Sequence, residues 1–430
     1  MEAVILAGGR GTRMGAMCAD TPKPLLPLAG EPVIMRQIRA LSAEGIRKIT
    51  VVAGYLADRL ISALGDGSAF GVSLRYYREE TPLGTAGALG SLGLTEDFLL
   101  LSGDLLFSFS LPDMAAFHRE RGALATLFAH PNAHPFDSAV LETDGADRIT
   151  AFLPKNGKPA EYPNLCNSGI QIVSPALFAA LPAGVPADLD RDVLRPAVST
   201  GRLYAYRSAE YVRDLGTPAR FAAAGADLAA GLPRRLRRDV PKPAVFLDRD
   251  GTLNVYRGDI AAPEQLELLP GASEAVRSLN LAGVPAILVT NQPVVARGLC
   301  SMETLARIHM RLETLLGKEG AYLDAVYVCP HHPERGFPGE VAALKIPCEC
   351  RKPAPGMLLT AAKRFGISLA DSWLAGDTRR DMETAGNAGC RGAFLLCGKQ
   401  ETPPPGVPVY PDLSAFTQAY LSSLRRDADA

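Results

Sequence analysis

What the chain lacks narrows its class. No apolar stretch approaches the roughly 20 residues of a helical membrane span, and the start, Met1-Glu2-Ala3-Val4-Ile5-Leu6, has no basic segment of the kind that opens a secretion signal. There is no surplus of positive charge. Lys and Arg number 45 against 46 Asp and Glu, a formal net charge of −1, which gives a nucleic acid or other polyanion nothing to bind. Nor do eight cysteines scattered over 430 residues make a disulfide framework. No internal repeat relates one half to the other. The expected setting is therefore a reducing cytoplasm, with neither membrane nor nucleic acid as partner.

What is present is enough apolar material, 47% of 430 residues, for two cores, and that length is too great for one ordinary domain. Residues 1–230 alternate strand-like and helix-like segments. Strands are expected at Ala3–Leu6, Lys48–Ala53, Val72–Tyr77 and Phe98–Ser102, and helices at Val33–Ala43, Ala57–Leu64, Ala86–Leu92 and Pro218–Ala230. A second series of the same kind fills 244–420. Such alternation implies α/β domains built on mostly parallel sheets. The arginine-rich, proline-bounded stretch 232–243 reads as a solvated linker between domains 1–231 and 244–420.

After the first strand comes Gly8-Gly9-Arg10-Gly11-Thr12-Arg13, where glycines without Cβ let backbone N–H groups close around phosphate oxygens. Lys23, in the proline-stiffened Thr21-Pro22-Lys23-Pro24, can reach the same phosphates. Together with Pro24-Leu25-Leu26-Pro27 these segments resemble the nucleotidyltransferases that make nucleotide sugars. The resemblance implies a Rossmann-like, GT-A-like domain in which a sugar 1-phosphate attacks a nucleoside triphosphate and pyrophosphate leaves. It implies that Gly8, Gly9, Gly11, Thr12 and Arg13 hold the triphosphate and that Lys23 contacts its reacting end. Leu83-Gly84-Thr85-Ala86-Gly87 is similar to the base-binding segment of mannose-1-phosphate guanylyltransferases, with Gly84, Thr85 and Gly87 at the nucleotide. Asp104 and Asp214 match two Mg²⁺-binding aspartates, Asn167 and Gly169 a sugar-contacting motif, and Lys155 a phosphate contact. Pro154 stands where that family commonly has glutamate.

In the second half, the apolar run Ala244–Leu247 ends in Asp248-Arg249-Asp250-Gly251-Thr252. Two carboxylates at the end of a parallel strand can divide labour, one attacking phosphorus and the other handling the proton, provided a cation offsets their repulsion. Thr290-Asn291-Gln292, Arg351-Lys352-Pro353 and Gly376-Asp377 follow in order. The four segments resemble the signatures of haloacid-dehalogenase-like (HAD-like) phosphatases. The resemblance implies that Asp248 is the nucleophile, Asp250 the acid and base, Thr290 a phosphoryl contact, and Lys352 the cation of the transition state. Mg²⁺ would be held by Asp248, Asp377 and the Asp250 carbonyl, with Asp381 a ligand or a helix-start residue.

Cys329-Pro330-His331 and Cys348-Glu349-Cys350 supply four ligands, enough to close a tetrahedral, structural Zn²⁺ site, with His332 the rival of His331. This insert, with Ala296-Arg297-Gly298, narrows the resemblance to D-glycero-D-manno-heptose 1,7-bisphosphate 7-phosphatases, although Pro293-Val294-Val295 departs from their usual Ser-Gly-Ile. Asn291, Arg297 and Arg351 would contact substrate, the arginines at the phosphate that is not removed. One resemblance implies making a sugar 1-phosphate and the other consuming it, so the small-molecule substrates expected are a sugar bisphosphate, a sugar 1-phosphate and a nucleoside triphosphate, most naturally GTP. Still open are another sugar bisphosphate, histidinol phosphate, or a first domain that only senses a nucleotide sugar.

Overall fold

The computed structural model describes all residues except Ala183, Lys399 and Ala430, and no side chain of 427–429. The chain divides into two compact units. One comprises Met1–His130, Leu141–Phe152 and Asn167–Arg237, and the other Pro131–Val140, Leu153–Cys166 and Arg238–Ala430. Element alternation alone does not foresee that two short segments of the first half group with the second unit.

The first unit is organised on strands β1 (Ala3–Ala7), β2 (Lys48–Ala53), β3 (Ser73–Arg78), β4 (Phe98–Ser102), β5 (Leu105–Ser108), β6 (Ala125–His130), β7 (Val140–Thr143), β8 (Ile149–Leu153), β9 (Cys166–Val173), β10 (Leu203–Arg207) and β11 (Tyr211–Asp214). The main sheet runs β8-β7-β9-β4-β1-β2-β3, with β6 joined to β9 and β10 to β6. Central β1 is parallel to both β2 and β4. Its residues Ala3, Val4 and Ile5, and Leu99–Leu101 of β4, are fully buried, as befits parallel strands covered on both faces. Helices α1 (Val33–Ala43) and α2 (Ala57–Leu64) connect β1 to β2 and β2 to β3. The chain thus grows from β1 to one side through β2 and β3, whereas β4 lies on the other side. The carboxyl ends of β1 and β4 therefore form a topological switch point, where open α/β sheets bind ligands.

The second unit repeats this logic in a six-stranded parallel sheet, with β12 (Val245–Leu247), β13 (Ala286–Asn291), β14 (Ala325–Cys329), β15 (Trp373–Gly376), β16 (Arg391–Leu395) and β17 (Val409–Tyr410). The order is β14-β13-β12-β15-β16-β17. Here the switch point lies between β12 and β15, which end in Asp248 and Asp377. Phe246 and Leu247 are fully buried, and Leu247 joins Val276, Leu279, Leu288 and Ile308 in one core.

Two expectations are corrected. Residues 86–92 do not form an α-helix; they are turns with a 3-10 segment at Leu89–Ser91. Gly84, Gly87, Gly90 and Gly93 interrupt the run, and a Cβ on Gly87 would come within 2.5 Å of both Leu83 O and Val185 O, a packing that helical periodicity does not report. The stretch 232–243 is not solvated throughout. Leu232 is buried with Leu215 and Phe221 after α3 (Pro218–Ala229), Arg237 Nη1 donates to Glu44 Oε1 at 2.7 Å, and Lys242 is buried with Nζ donating to Phe365 O at 2.7 Å. Each long cationic side chain finds acceptors that a charge count cannot reveal. Among the described residues, no helix is long and apolar enough to cross a membrane.

Candidate active sites

At the first switch point a cavity of about 450 Å³ is lined by Gly8, Gly9, Gly11, Thr12, Arg13, Lys23, Gly84, Thr85 and Asp104, all expected from sequence. The glycines are there for space and dihedral freedom. Gly11 has φ +64° and Gly84 φ +75°, and a Cβ on Gly84 would stand 2.5 Å from Ala187 O. Lys23 is buried, and its ammonium meets the Asp104 carboxylate. The turn that carries Asp104 is fixed by Gln37, a buried residue of α1 that sequence reading did not single out: its Nε2 donates to Ser102 O at 3.0 Å and Leu105 O at 2.8 Å.

Asp214 lies on β11, opposite Leu105 of β5, and Leu215 N donates to Asp104 O at 2.9 Å. The backbones of the two expected metal ligands are thus neighbours. The Asp214 carboxylate accepts from the N–H of Gly216, a residue of the cavity wall, at 2.7 Å and pairs with Arg220; Asp214 itself does not line the cavity. Gly87 packs beneath its loop instead of lining the cavity. Asn167, Gly169 and Lys155 are not brought to that wall either. Asn167 Oδ1 accepts from Gly169 N at 3.1 Å, and Lys155 pairs with Asp137.

The second cavity, about 470 Å³, brings together Asp248, Asp250, Thr290, Asn291, Arg297, Arg351, Lys352 and Asp381. Its centre is a buried ammonium: Lys352 Nζ donates to Asp248 Oδ1 at 2.7 Å and to Asp381 Oδ1 at 2.5 Å. Burial alone would depress the Lys352 pKa, but the two carboxylates outweigh it and raise it. Burial, with Asp381 and Asp250 nearby, pushes the Asp248 carboxyl up against the pull of Lys352. Asp381 also caps the helix Arg379–Ala388, accepting from Thr378 N at 3.2 Å, so it serves as helix-start residue and as partner of Lys352. One carboxylate oxygen each from Asp248, Asp377 and Asp381 falls within 4.8 Å of the others, a hard oxygen set suited to Mg²⁺. Gly251, at φ +86°, leaves the room that Asp377 needs, since a Cβ there would lie 2.2 Å from Asp377 Oδ2.

Asp250 is held by residues that sequence reading passed over. Fully buried Arg249 grips it, Nη2 standing 2.9 Å from each carboxylate oxygen. Asn254 Nδ2 donates to Oδ1 at 3.0 Å and Gln292 Nε2 to Oδ2 at 2.7 Å. Burial acts to raise this carboxyl's pKa, but Arg249 and the amide donors bring it below its ordinary value. His309, on the helix Met302–Lys318, stands 3.4 Å from Arg249 Nη1 through Nε2. Burial and Arg249 lower the His309 pKa to about 3, so its ring is neutral and able to accept. Asn291, on the cavity wall as expected, also pairs its side-chain amide with the Lys352 backbone, Nδ2 donating to O and Oδ1 accepting from N, both at 3.0 Å, and so positions the lysine. Arg297 is engaged by Asp259 at 2.7 and 2.9 Å, and Arg380, another residue passed over, also lines the wall.

Cys329, His331, Cys348 and Cys350 converge with all four ligand atoms within 4.8 Å of one another. Adjacent atoms are 3.3–3.7 Å apart, close to the edges of a tetrahedron with Zn–S of about 2.3 Å and Zn–N of about 2.0 Å. The ligand set therefore fits zinc. His332 turns to the cavity instead, with Nε2 3.4 Å from Arg297 Nη2. His331 O accepts from Arg351 Nη1 at 3.0 Å, which links the cysteine–histidine cluster to the phosphate-facing wall.

The sequence pattern of the nucleotidyl transferase family matches residues 2–231, and that of a HAD-hydrolase-like family matches 349–414. A D-glycero-beta-D-manno-heptose-1,7-bisphosphate 7-phosphatase of Rhodopseudomonas palustris is 39% identical over 183 residues, 43% of this chain and 92% of the relative. The chain belongs to the nucleotidyl transferase family and, through its second half, to that of the heptose-bisphosphate phosphatases. A mannose-1-phosphate guanylyltransferase of Mycobacterium tuberculosis is 32% identical over 233 residues, 53% of this chain, and the match spans 64% of that relative's length. A solved heptose 1,7-bisphosphate phosphatase of B. bronchiseptica, complexed with magnesium and phosphate, is 34% identical, with 42% of this chain and 99% of that one covered at a TM-score of 0.38.

Lys352→Met would leave Asp248 and Asp381 facing each other without their cation. With metal chelated, we expect a loss of about 3–5 kcal/mol at pH 7.5, as for other broken buried pairs. A carboxyl whose folded pKa is raised favours the protonated fold at low pH, so the deficit should narrow towards pH 5. Urea unfolding at both pH values measures it.

Proposed function

We propose that the chain converts a heptose 1,7-bisphosphate into a nucleoside-diphosphate heptose in two steps, one in each cavity. The observation that supports this most is the pairing within one chain of a half related to enzymes that remove the 7-phosphate, leaving a sugar 1-phosphate, with a half from a family that uses such a phosphate as nucleophile. D-glycero-D-manno-heptose 1,7-bisphosphate is the sugar assigned, by similarity to the phosphatase relatives, and GTP the nucleotide, by similarity to the guanylyltransferase. The substrates are small molecules, and the setting is the cytoplasm.

In the second cavity the 7-phosphate faces Asp248. A carboxylate oxygen of Asp248 attacks phosphorus, the bond from phosphorus to O7 breaks, and Asp250 delivers a proton to the leaving oxygen. Water, giving its proton to Asp250, then attacks phosphorus of the aspartyl-phosphate, releasing phosphate and restoring Asp248. Arg249, Asn254 and Gln292 favour the anionic form of Asp250 that this second half-reaction uses. Thr290 and Lys352 hold phosphoryl oxygens, and Arg297 and Arg351 take the phosphate that stays. In the first cavity an oxygen of the sugar 1-phosphate attacks the α-phosphorus of GTP and pyrophosphate departs. The loop Gly8–Arg13 and Lys23 align the chain of phosphates and offset its charge, with sugar contacts assigned to Asn167, Gly169 and Lys155.

Mg²⁺, held by Asp248, Asp377 and the Asp250 carbonyl in one site and by Asp104 and Asp214 in the other, supplies positive charge to phosphate oxygens when bound. Cys329, His331, Cys348 and Cys350 would hold a structural Zn²⁺, which would fix the loop that presents Arg351 and Lys352.

Two outcomes are expected. Asp104→Ala should lower pyrophosphate release at least ~100-fold, the scale of losing a main electrostatic contact, and spare phosphate release. Asp248→Ala should do the reverse when heptose 1-phosphate is supplied. Nucleotide transfer unchanged in Asp104→Ala would remove the first assignment. Elemental analysis should find one zinc per chain, absent from Cys350→Ser together with most phosphate release but not nucleotide transfer; full phosphate release without zinc would contradict the structural role.

A further inference from the structure

Two segments of the first half, Pro131–Val140 and Leu153–Cys166, group with the second unit. Residues 154–165 form neither helix nor strand, and a loop of that length keeps one conformation only where neighbours hold it. Part of the support is mutual. Asn164 Nδ2 donates to Asn132 O at 2.8 Å and its Oδ1 accepts from Asn132 N at 3.0 Å, while Lys158 Nζ donates to Phe136 O at 3.2 Å and to Lys155 O at 2.8 Å. The rest comes from the helix Met302–Lys318 of the same unit. The hydroxyl of its buried Thr314 accepts from Tyr162 N at 3.1 Å and has Tyr162 O at 3.2 Å and Met310 O at 2.8 Å as acceptors for its own proton. Arg307 Nη2 donates to Glu161 Oε2 at 3.2 Å. At Gly317 a Cβ would stand 2.5 Å from Pro135 Cγ.

This face of the helix is shaped for what lies on it. Leu305, Ile308, Leu312 and Leu316 already anchor the helix in the core, so its own fold requires neither a buried hydroxyl nor a glycine. Glycine inside a helix costs stability relative to alanine, and a buried hydroxyl needs partners; both are answered by Pro135 and Tyr162. Resting on the assignment of Lys155 to the sugar 1-phosphate, we propose that the helix is the seat of the acceptor-binding loop, with Thr314 and Gly317 as positioning residues for nucleotide transfer. The Lys155 ammonium is half-exposed in a surface pair with Asp137, a weak contact that a phosphate can replace. Its backbone is held by Lys158 and, further along the loop, by the seat of Tyr162 on Thr314. Binding the sugar phosphate then requires little further ordering of the loop. The second unit thus serves the transfer reaction as well as its own.

The test is steady-state transfer from GTP to D-glycero-D-manno-heptose 1-phosphate by the full-length chain, together with hydrogen–deuterium exchange of residues 153–166. The variants are Thr314→Val, Thr314→Ser, Gly317→Ala and Lys155→Ala. Valine fills the space of threonine but leaves Tyr162 N unpaired. Thr314→Val should therefore speed exchange in 153–166 and raise KM for the sugar phosphate about 5–30-fold, the scale of one buried donor left without a partner, with kcat and KM for GTP unchanged. Thr314→Ser keeps the hydroxyl and should match wild type. Gly317→Ala should act like Thr314→Val even though alanine favours the helix, an outcome opposite to that of a merely structural role. Phosphate release, unchanged in each, shows that the second unit is folded. Unchanged exchange in both seat variants, faster exchange with KM unchanged, or KM for GTP raised as much as that for the sugar phosphate would overturn the proposal. Lys155→Ala should raise the sugar-phosphate KM as well. If it does while Thr314→Val does not, only the seat falls; if it does not, the assignment of Lys155 falls and the proposal with it.

Discussion

A parallel strand whose neighbours were added from opposite directions leaves a gap at its carboxyl end, because the chains leaving it turn away from each other. Both candidate sites occupy such a gap, one between β1 and β4 and the other between β12 and β15. Everything chemical in the protein depends on this constraint. It turns short segments far apart in sequence into one wall, so that Asp248 and Asp377, separated by more than a hundred residues, end side by side.

Charge then decides what each gap does. In the second, three carboxylates and a lysine are buried together, an arrangement stable only because Lys352 answers Asp248 and Asp381 at once. A second cation, Arg249, is buried behind them and committed to Asp250. The two aspartates therefore sit in opposite fields, one pushed towards its neutral form and the other held as the anion. Attack by Asp248 needs its anion, so the positive charge of Lys352, and of Mg²⁺ when bound, has to offset that push. The first gap is quieter: glycine N–H groups and Lys23 face a space suited to phosphates, with Glu79 the one acidic side chain on its wall apart from Asp104.

Strands and the residues that immediately end them were legible in the sequence, because apolar runs bounded by Gly and Asp report burial and turn chemistry directly. Gly8, Lys23, Asp104, Asp248, Thr290 and Lys352 all came to cavity walls for that reason. Residues that act on other residues were not. Gln37, Arg249, Asn254 and His309 read as ordinary helix or turn positions, and only their partners across the fold give them meaning. Asn291 was recognised by its motif, but the motif does not tell that its amide also pairs with the Lys352 backbone. The segment 86–92 misled because its apolar spacing suits a helix while its glycines serve close backbone packing.

The central claim is that one chain makes a sugar 1-phosphate and then activates it. The most direct measurement is the mass of the products formed from D-glycero-D-manno-heptose 1,7-bisphosphate, as each anomer, with Mg²⁺ and GTP. The account predicts GDP-heptose, with one phosphate and one pyrophosphate released for each molecule formed. Phosphate release with heptose 1-phosphate accumulating and no nucleotide sugar, for either anomer, would contradict it.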